Sequence, residues 1–456
     1  MKQVDLWDYD FSDYPDNYFD GLLSDPPYEI GFSNKTWDNS GIAFNRDFWK
    51  CIYRVLKPGA FLFVYGGTRT HHRVMTAVED VGFEIRDVMM WMYGMGFPRS
   101  YDISNGIDKD AGEERQIVGY KKGVQADDST GRSDMPGKDV GVKQKAVDVP
   151  ITAPSTDLAK KFDGYGTALK PSYEPIIVSM KPLDKGFVNN AKKWGVAGLN
   201  IGGSRISGQK EVPASLSNKN QFGWSTSGYM ERKSKQNGRW PANVILDGSD
   251  EVEDLLPDNG KSGIAVRRNK GKAPSNNIQF GARGNKDMTE DYGYTDSGSV
   301  ARFFYSAKAM SGERHAGCEN LYWKKNKDGN YSLVSKEEWG QLSPEENGGQ
   351  GNIHATVKPL SLNQYLSRMF LPPLRENDNR KLLVPFSGSG SEIIGAMIAG
   401  WDEVHGLEYG HDHIEIAKNR IEYWREHDLD EKQKKANSKE NKSSKKDTIK
   451  NLPKLF

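Results

Sequence analysis

The chain has 456 residues, a formal net charge of +1, 48 glycines and 36% hydrophobic residues. It is long enough to bury a sizeable core, and no apolar run approaches the roughly 20 residues that a bilayer demands, so disorder throughout and membrane-spanning architectures are excluded. Two cysteines, Cys51 and Cys318, lie far apart and outside any C-x-x-C spacing; a disulfide framework and a cysteine-based zinc site are excluded, and no metal site is expected. The acidic, polar N-terminus (MKQVDLWDYDFSDYP) is unlike a secretory signal and predicts a cytoplasmic protein.

In chain order, 19–28 (FDGLLSDPPY) predicts a short apolar strand stopped by prolines. Apolar spacing over 44–59 predicts a helix closed by Pro58-Gly59, followed by a buried strand at 60–67. A helix over 71–83 and a strand over 83–93 come next. From about 101 to 350 the composition turns to Gly, Ser, Asn, Lys and Asp, with ordered islands at 166–183, 237–246 and 301–309. Stretches 121–150 and 208–237 read as mobile loops. Trp194, Trp224 and Trp240, interspersed with Lys and Arg, suit base contacts or small cores equally well. The α/β pattern then returns: a strand at 381–386, a glycine loop opening a helix at 387–400, a strand at 402–408 and a helix at 411–427. This last block is only a βαβα unit and cannot close a core by itself. The expectation is therefore one Rossmann-like α/β sheet assembled from both ends of the chain, 1–105 and 351–427, around a large insertion at 106–350. A basic, disordered tail occupies 428–456; over 432–456 it has nine lysines against Glu440 and Asp447. It serves as a solubilising tail or as a tether to nucleic acid.

Two short segments have the residue types that chemistry needs. The first is Phe386-Ser387-Gly388-Ser389-Gly390, between a strand and a helix, where glycines permit a tight turn and close approach of a ligand. Glu408 ends the next strand, 22 residues after Phe386, where a carboxylate can hydrogen-bond the ribose hydroxyls of an adenosine-type cofactor. Such a turn can also exist for packing alone. The loop lacks G-x-x-x-x-G-K-[ST], so a phosphate-free adenosine ligand such as S-adenosylmethionine fits better than a nucleoside triphosphate.

The second is Asp25-Pro26-Pro27-Tyr28 at the carboxyl end of a strand. Two prolines fix the backbone and remove two N–H donors, so the local backbone offers carbonyl acceptors; Asp25 adds a carboxylate and Tyr28 a flat face. The set suits an –NH₂ group on a planar ring. Its two protons, bound by the Asp25 carboxylate and the Pro26 carbonyl, would leave the nitrogen lone pair free to attack a sulfonium methyl. The plainer alternative is a strand-ending turn with Tyr28 packed for bulk.

Taken together these motifs resemble the beta-class amino DNA methyltransferases, in which a D-P-P-Y block, a target-recognition region and a cofactor block follow in that order. His354-Ala355-Thr356-Val357-Lys358-Pro359 is similar to the family's H-P-T-x-K-P element, and the stretches YPDNYFDGLLSDPPY, RVLKPGAFLFVYGG and FEIRDVMMWMYGMGFPRS agree further. The resemblance covers about 1–105 and 350–425, with weaker echoes at 164–183 and 237–246. It implies that 1–105 is the catalytic half, 106–350 the target-recognition region and 351–427 the cofactor-binding half. It also implies an S-adenosylmethionine cofactor held by Phe386, Ser387, Gly388, Gly390 and Glu408, with Thr356 and Lys358 near the methionine moiety and Asp25 near its amino group. The partner implied is double-stranded DNA with the target base flipped out, Tyr28 replacing part of its stacking. Asp before Pro-Pro-Tyr goes with N6 of adenine more often than with N4 of cytosine, which stays as the alternative. Methylation at C5 of cytosine needs a thiolate after proline, and the chain has no Pro-Cys.

Three positions depart from the family pattern. Val384 stands for Asp or Asn, Ser391-Glu392 for Thr-Thr, and Ala355 for Pro. The first two remove a carboxylate and a hydroxyl from their usual places and motivate a catalytically silent DNA-binding relative as a competing reading. An N-methyltransferase acting on RNA or on protein glutamine is another, although the glutamine enzymes normally have Asn where this chain has Asp25. The C-terminal Asn451-Leu452-Pro453-Lys454-Leu455-Phe456 faintly resembles peptides that bind sliding clamps; the plainer reading is an apolar end on a disordered tail.

Overall fold

The computed structural model describes residues 1–31, 36–94, 96, 100–125, 145–206, 238–261, 297–307, 309, 312–327, 330–354, 356–376 and 378–427. The basic tail, the stretch 208–237 with Trp224, Ala355 and the C-terminal Leu455-Phe456 lie outside these. The N-terminal part contributes β1 (Lys2–Gln3), β2 (Phe19–Ser24), α1 (Arg46–Val55), β3 (Leu56–Tyr65), α2 (His71–Asp80) and β4 (Glu84–Met92). The middle adds α3 (Ile103–Asp110), β5 (Gln116–Gln125), β6 (Lys145–Ala153), α4 (Asp157–Lys161), β7 (Tyr173–Met180), α5 (Phe187–Trp194), β8 (Val244–Leu246) and α6 (Asp250–Glu253). It continues with β9 (Asp258–Lys261), β10 (Ser297–Ser299), β11 (Tyr305–Ser306), β12 (Tyr322–Lys325), β13 (Tyr331–Val334), α7 (Lys336–Trp339) and β14 (Asn347–Gln350). The chain closes with α8 (Leu360–Met369), β15 (Lys381–Pro385), α9 (Ser391–Ala399), β16 (Glu403–Glu408) and α10 (His411–Arg425).

Nine strands form one sheet in the order β1-β16-β15-β2-β3-β7-β4-β8-β11. Every pairing is parallel except the two made by β7, which runs antiparallel between β3 and β4. The expected assembly from both ends is present: β15 pairs with β2 through Leu382↔Gly21 and Leu383↔Leu22. The middle of the chain does more than the sequence indicated, because β7, β8 and β11 enter the same sheet.

Period-two alternation sorts the strand residues between two cores. Leu23, Phe61, Phe63, Leu382 and Val384 pack against α8, α9 and α10 through Leu362, Leu366, Ile394 and Ala417. Leu22, Leu62, Val64 and Leu383 face the other way, onto Phe48, Trp49 and Ile52 of α1 and Val74 and Val78 of α2. Both faces of the central strands are therefore dry, as a parallel sheet requires.

Two local expectations are corrected. The helix predicted to run to Pro58-Gly59 ends at Val55, and β3 begins at Leu56 with Pro58 inside it. Proline disfavours helical backbone at the residue before it, and the strand accommodates the pair as an irregularity: the register shifts between Phe19 and Gly21, and Gly59 has a φ of +79°. Part of the stretch read as a loop at 121–150 is instead a hairpin, β5 paired antiparallel with β6. A separate three-stranded sheet, β13-β12-β14, packs Trp323 beside Ile416 of α10. No described helix is long and apolar enough to cross a membrane.

Candidate active site

The two sequence motifs meet at the carboxyl ends of β2 and β15, adjacent parallel strands. Buried Ser24 Oγ donates to the carbonyl of Pro385 at 3.2 Å, tying the last residue of one strand to that of the other. Beyond them lies a cavity of about 320 Å³, lined among others by Asp25, Pro27, Thr356, Lys358, Phe386 and Glu408. A larger cavity of about 930 Å³, lined by Asp20, Lys57 and Trp194, opens at the opposite, amino-terminal edge of β2 and β3. Open α/β sheets place ligands at the carboxyl edge, and the chemistry lies in the smaller cavity.

Within it the glycine turn is held from several sides. Phe386, Gly388 and Gly390 have φ of +56°, +46° and +80°. Gly388 N–H donates to Glu408 Oε2 at 2.8 Å, and Gly410 N–H to Oε1 at 2.9 Å. His413 Nδ1 lies 3.1 Å from the same Oε1. These donors hold the Glu408 carboxyl below the usual carboxylate range against the opposing effect of burial. A carboxylate offers about four lone-pair sites, so Glu408 retains capacity for ribose hydroxyls. Fully buried Arg420 binds Ser389 O at 2.7 Å, Ser389 Oγ at 2.9 Å and Ser391 Oγ at 3.0 Å, fixing the loop from beneath. A Cβ on Gly388 would lie 2.9 Å from His354 Nε2. Gly388→Ala is therefore expected to destabilise the protein by about 1–3 kcal/mol; an unchanged melting temperature would remove the close-approach account of this glycine.

The Asp25 side is built around one lysine. Lys358 Nζ is 2.6 Å from Asp25 Oδ2 and 3.4 Å from Glu174 Oε2, and sits 5.2 Å and 4.9 Å from the ring centres of Tyr28 and Tyr65. Tyr28 donates its hydroxyl to Glu174 Oε2 at 2.6 Å and accepts, at its carbonyl, the hydroxyl of Thr70 at 2.6 Å. Asp25 and Glu174 hold the Lys358 ammonium protonated, pushing its pKa above the ordinary value although burial opposes this. Asp25 Oδ1, by contrast, is buried and has no partner among the described residues. A charged oxygen left dry and unpaired at a cavity wall is costly unless something donates to it.

All the sequence-predicted residues cluster here, with differences in role. Asp25, Pro27, Thr356, Lys358, Phe386, Ser387, Gly388 and Glu408 line the cavity. Gly390 does not; it caps α9, and a Cβ there would meet Ala417 Cβ at 3.0 Å. Pro26 is buried beside the cavity, and Tyr28 turns towards Glu174. Glu174, the start of the apolar run in β7, escaped sequence reasoning, as did Asp5, Leu6 and Trp7, which β1 brings to the cavity rim through its pairing with β16. Of the tryptophans, Trp194 donates its ring N–H to Asp184 at 3.2 Å, whereas Trp240 is 64% exposed with Arg205 over its ring at 5.6 Å.

Doubly wound topology, a glycine turn answered by a carboxylate on the next strand, and an acceptor set beside it define a Rossmann-like methyltransferase of the S-adenosylmethionine-dependent class. The chain belongs to the DNA methylase family N6_N4_Mtase, whose model matches residues 19–419. Among solved structures it is similar to M1.HpyAVI (10% identity, 92% of this chain and 96% of that one, TM-score 0.34). It is also similar to the PvuII DNA methyltransferase, described as cytosine-N4-specific (11%, 92% and 85%, 0.38). A third is TTHA0409, a DNA modification methylase of Thermus thermophilus (12%, 92% and 93%, 0.34). No curated protein matches the chain.

Proposed function

We propose that this protein transfers a methyl group from S-adenosylmethionine to the exocyclic amino group of a flipped-out base in double-stranded DNA, at N6 of adenine. The observation that carries the reading is the Asp25 carboxylate, with Oδ2 committed to Lys358 and Oδ1 buried, unpartnered among the described residues and at the wall of the cavity that Glu408 and the glycine turn complete. S-adenosylmethionine, when bound, supplies an electrophilic methyl; Glu408 would hold its ribose, Phe386 to Gly388 its nucleoside, and Thr356 and Lys358 its methionine end. Asp25 Oδ1 would accept one amine proton and the Pro26 carbonyl the other, which draws the nitrogen lone pair out of conjugation. Lys358 orients Asp25 and keeps it ionised. Tyr28, tethered at both its hydroxyl and its carbonyl, would give the extruded base a fixed surface for stacking. Asp25 ahead of Pro-Pro-Tyr supports adenine over cytosine.

The reading is tested by incubating purified protein with unmethylated DNA and labelled S-adenosylmethionine, digesting to nucleosides and identifying the product by mass spectrometry. N6-methyldeoxyadenosine is expected. N4-methyldeoxycytidine would keep the acceptor chemistry and overturn the base, and cofactor binding without DNA product would overturn the DNA substrate.

A further inference from the structure

We propose that Glu392 is the counter-ion for the positively charged methionine end of S-adenosylmethionine, and that it sets the pH range in which the cofactor binds. The inference rests on the reading that this cavity takes S-adenosylmethionine. Glu392 is the second residue of α9, is 4% exposed, and lines the cavity beside Asp25 and Lys358. A carboxylate so buried needs a cation or several donors. What it has is one neutral donor: Asn363 Nδ2 lies 3.1 Å from Oε1, and the Asn363 carbonyl is itself taken by the Tyr65 hydroxyl at 2.7 Å.

The charged and titratable groups facing Glu392 come from every element around it. Asp25 follows β2, Tyr65 ends β3, Lys358 precedes α8, and Arg420 lies on α10. Arg420 directs its guanidinium to the Ser389 and Ser391 oxygens and is balanced by Glu313. Lys358 lies close to Asp25 and Glu174. One ammonium thus faces three carboxyl groups, Asp25, Glu174 and Glu392, leaving the pocket acidic. S-adenosylmethionine has a sulfonium and an ammonium against one carboxylate, which is the complementary balance. The same position that breaks the family's Thr-Thr pattern therefore supplies a negative charge of its own, while Val384 is buried in the apolar core and does not line the cavity.

The pH consequence follows in sign. Burial first, then Asp25, pushes the Glu392 carboxyl up to about 7. Below that pH the free protein has Glu392 neutral, and binding a cation against it expels the proton, so affinity falls as pH drops from 8 to 6 and levels off above 8.

Isothermal titration of wild type and Glu392→Gln with S-adenosylmethionine and with uncharged 5′-methylthioadenosine, at pH 6 and pH 8, tests this. Wild type is expected to bind S-adenosylmethionine roughly tenfold more weakly at pH 6 than at pH 8. Glu392→Gln is expected to bind it about tenfold more weakly at pH 8 and to lose the part of the slope due to Glu392; the remainder of the slope belongs to the ligand's own amine. Methylthioadenosine is expected to bind both proteins alike. The fold control is the melting temperature at pH 8, expected to be equal or higher in the variant because glutamine keeps the Asn363 hydrogen bond and buries no charge. Equal S-adenosylmethionine affinity in the two proteins, or parallel loss of both ligands, overturns the counter-ion role. Wild type that binds neither ligand removes the cofactor reading itself and the proposal with it.

Discussion

Asp25→Ala is expected to lower the rate constant for methyl transfer by at least about a hundredfold while changing cofactor affinity only a few-fold. Charge develops on the attacking amine only as the new N–C bond forms, so a carboxylate aimed at its proton stabilises the transition state more than the bound base. Asp25 Oδ1 has no competing partner among the described residues, which leaves its lone pairs available for that proton. The cavity keeps Glu408, Phe386 and the glycine turn when Asp25 is shortened, so the nucleoside part of its lining stays. Single-turnover methylation at saturating cofactor, beside a direct cofactor titration, separates the two quantities. A variant that bound cofactor far more weakly but reacted at the wild-type rate once saturated would move Asp25 from the chemistry to cofactor binding.

Lys358→Met is expected to cost about 3–5 kcal/mol of stability at neutral pH. The ammonium is 7% exposed at its side chain and faces Asp25 at 15% and Glu174 at 21%, so little solvent screens what its removal leaves behind. Three carboxyl groups would then share a pocket with no lysine between them. Their folded-state pKa values would rise above the unfolded ones. The stability this links to protonation is present at acidic pH and lost as pH climbs through the raised values. The variant should therefore be least destabilised near pH 5 and most at pH 9. Its residual activity should run the other way, rising with pH, because the transfer needs Asp25 ionised. Thermal melts and initial rates over that range give the two slopes; parallel slopes would break the assignment of Lys358 as the charge partner of Asp25.

Short motifs at strand ends were readable because their residue types are rare in combination. Asp-Pro-Pro-Tyr cannot continue a strand, and a turn rich in glycine followed by a carboxylate one strand later has few purely structural uses. What the linear order could not convey is pairing. Periodicity marks β7 as a strand, but nothing in YEPIIVSM says that it runs antiparallel between β3 and β4, 146 residues from the tyrosine that Glu174 engages. An acidic residue opening an apolar run was the available clue to Glu174, and many solvent-facing strand ends look the same. The β5–β6 hairpin was missed for another reason: its lysines and glycines dilute the alternation that reveals a strand. Glu392 read as a loss in the sequence because only its position in a pattern was visible, and not the carboxyl groups and lysine around it.

The pairing of β2 with β15 has a consequence for how the protein is made. Leu22 has to find Leu383 before the two motifs of the cavity can meet. At about 5–20 residues per second of synthesis, the ribosome needs roughly 20–70 s to supply that partner. Until then β2 presents one open, apolar edge of a half-built sheet, the kind of surface that draws in other chains. Expression at lower temperature, or with a holdase present during synthesis, is expected to raise soluble yield more than any change to the finished surface.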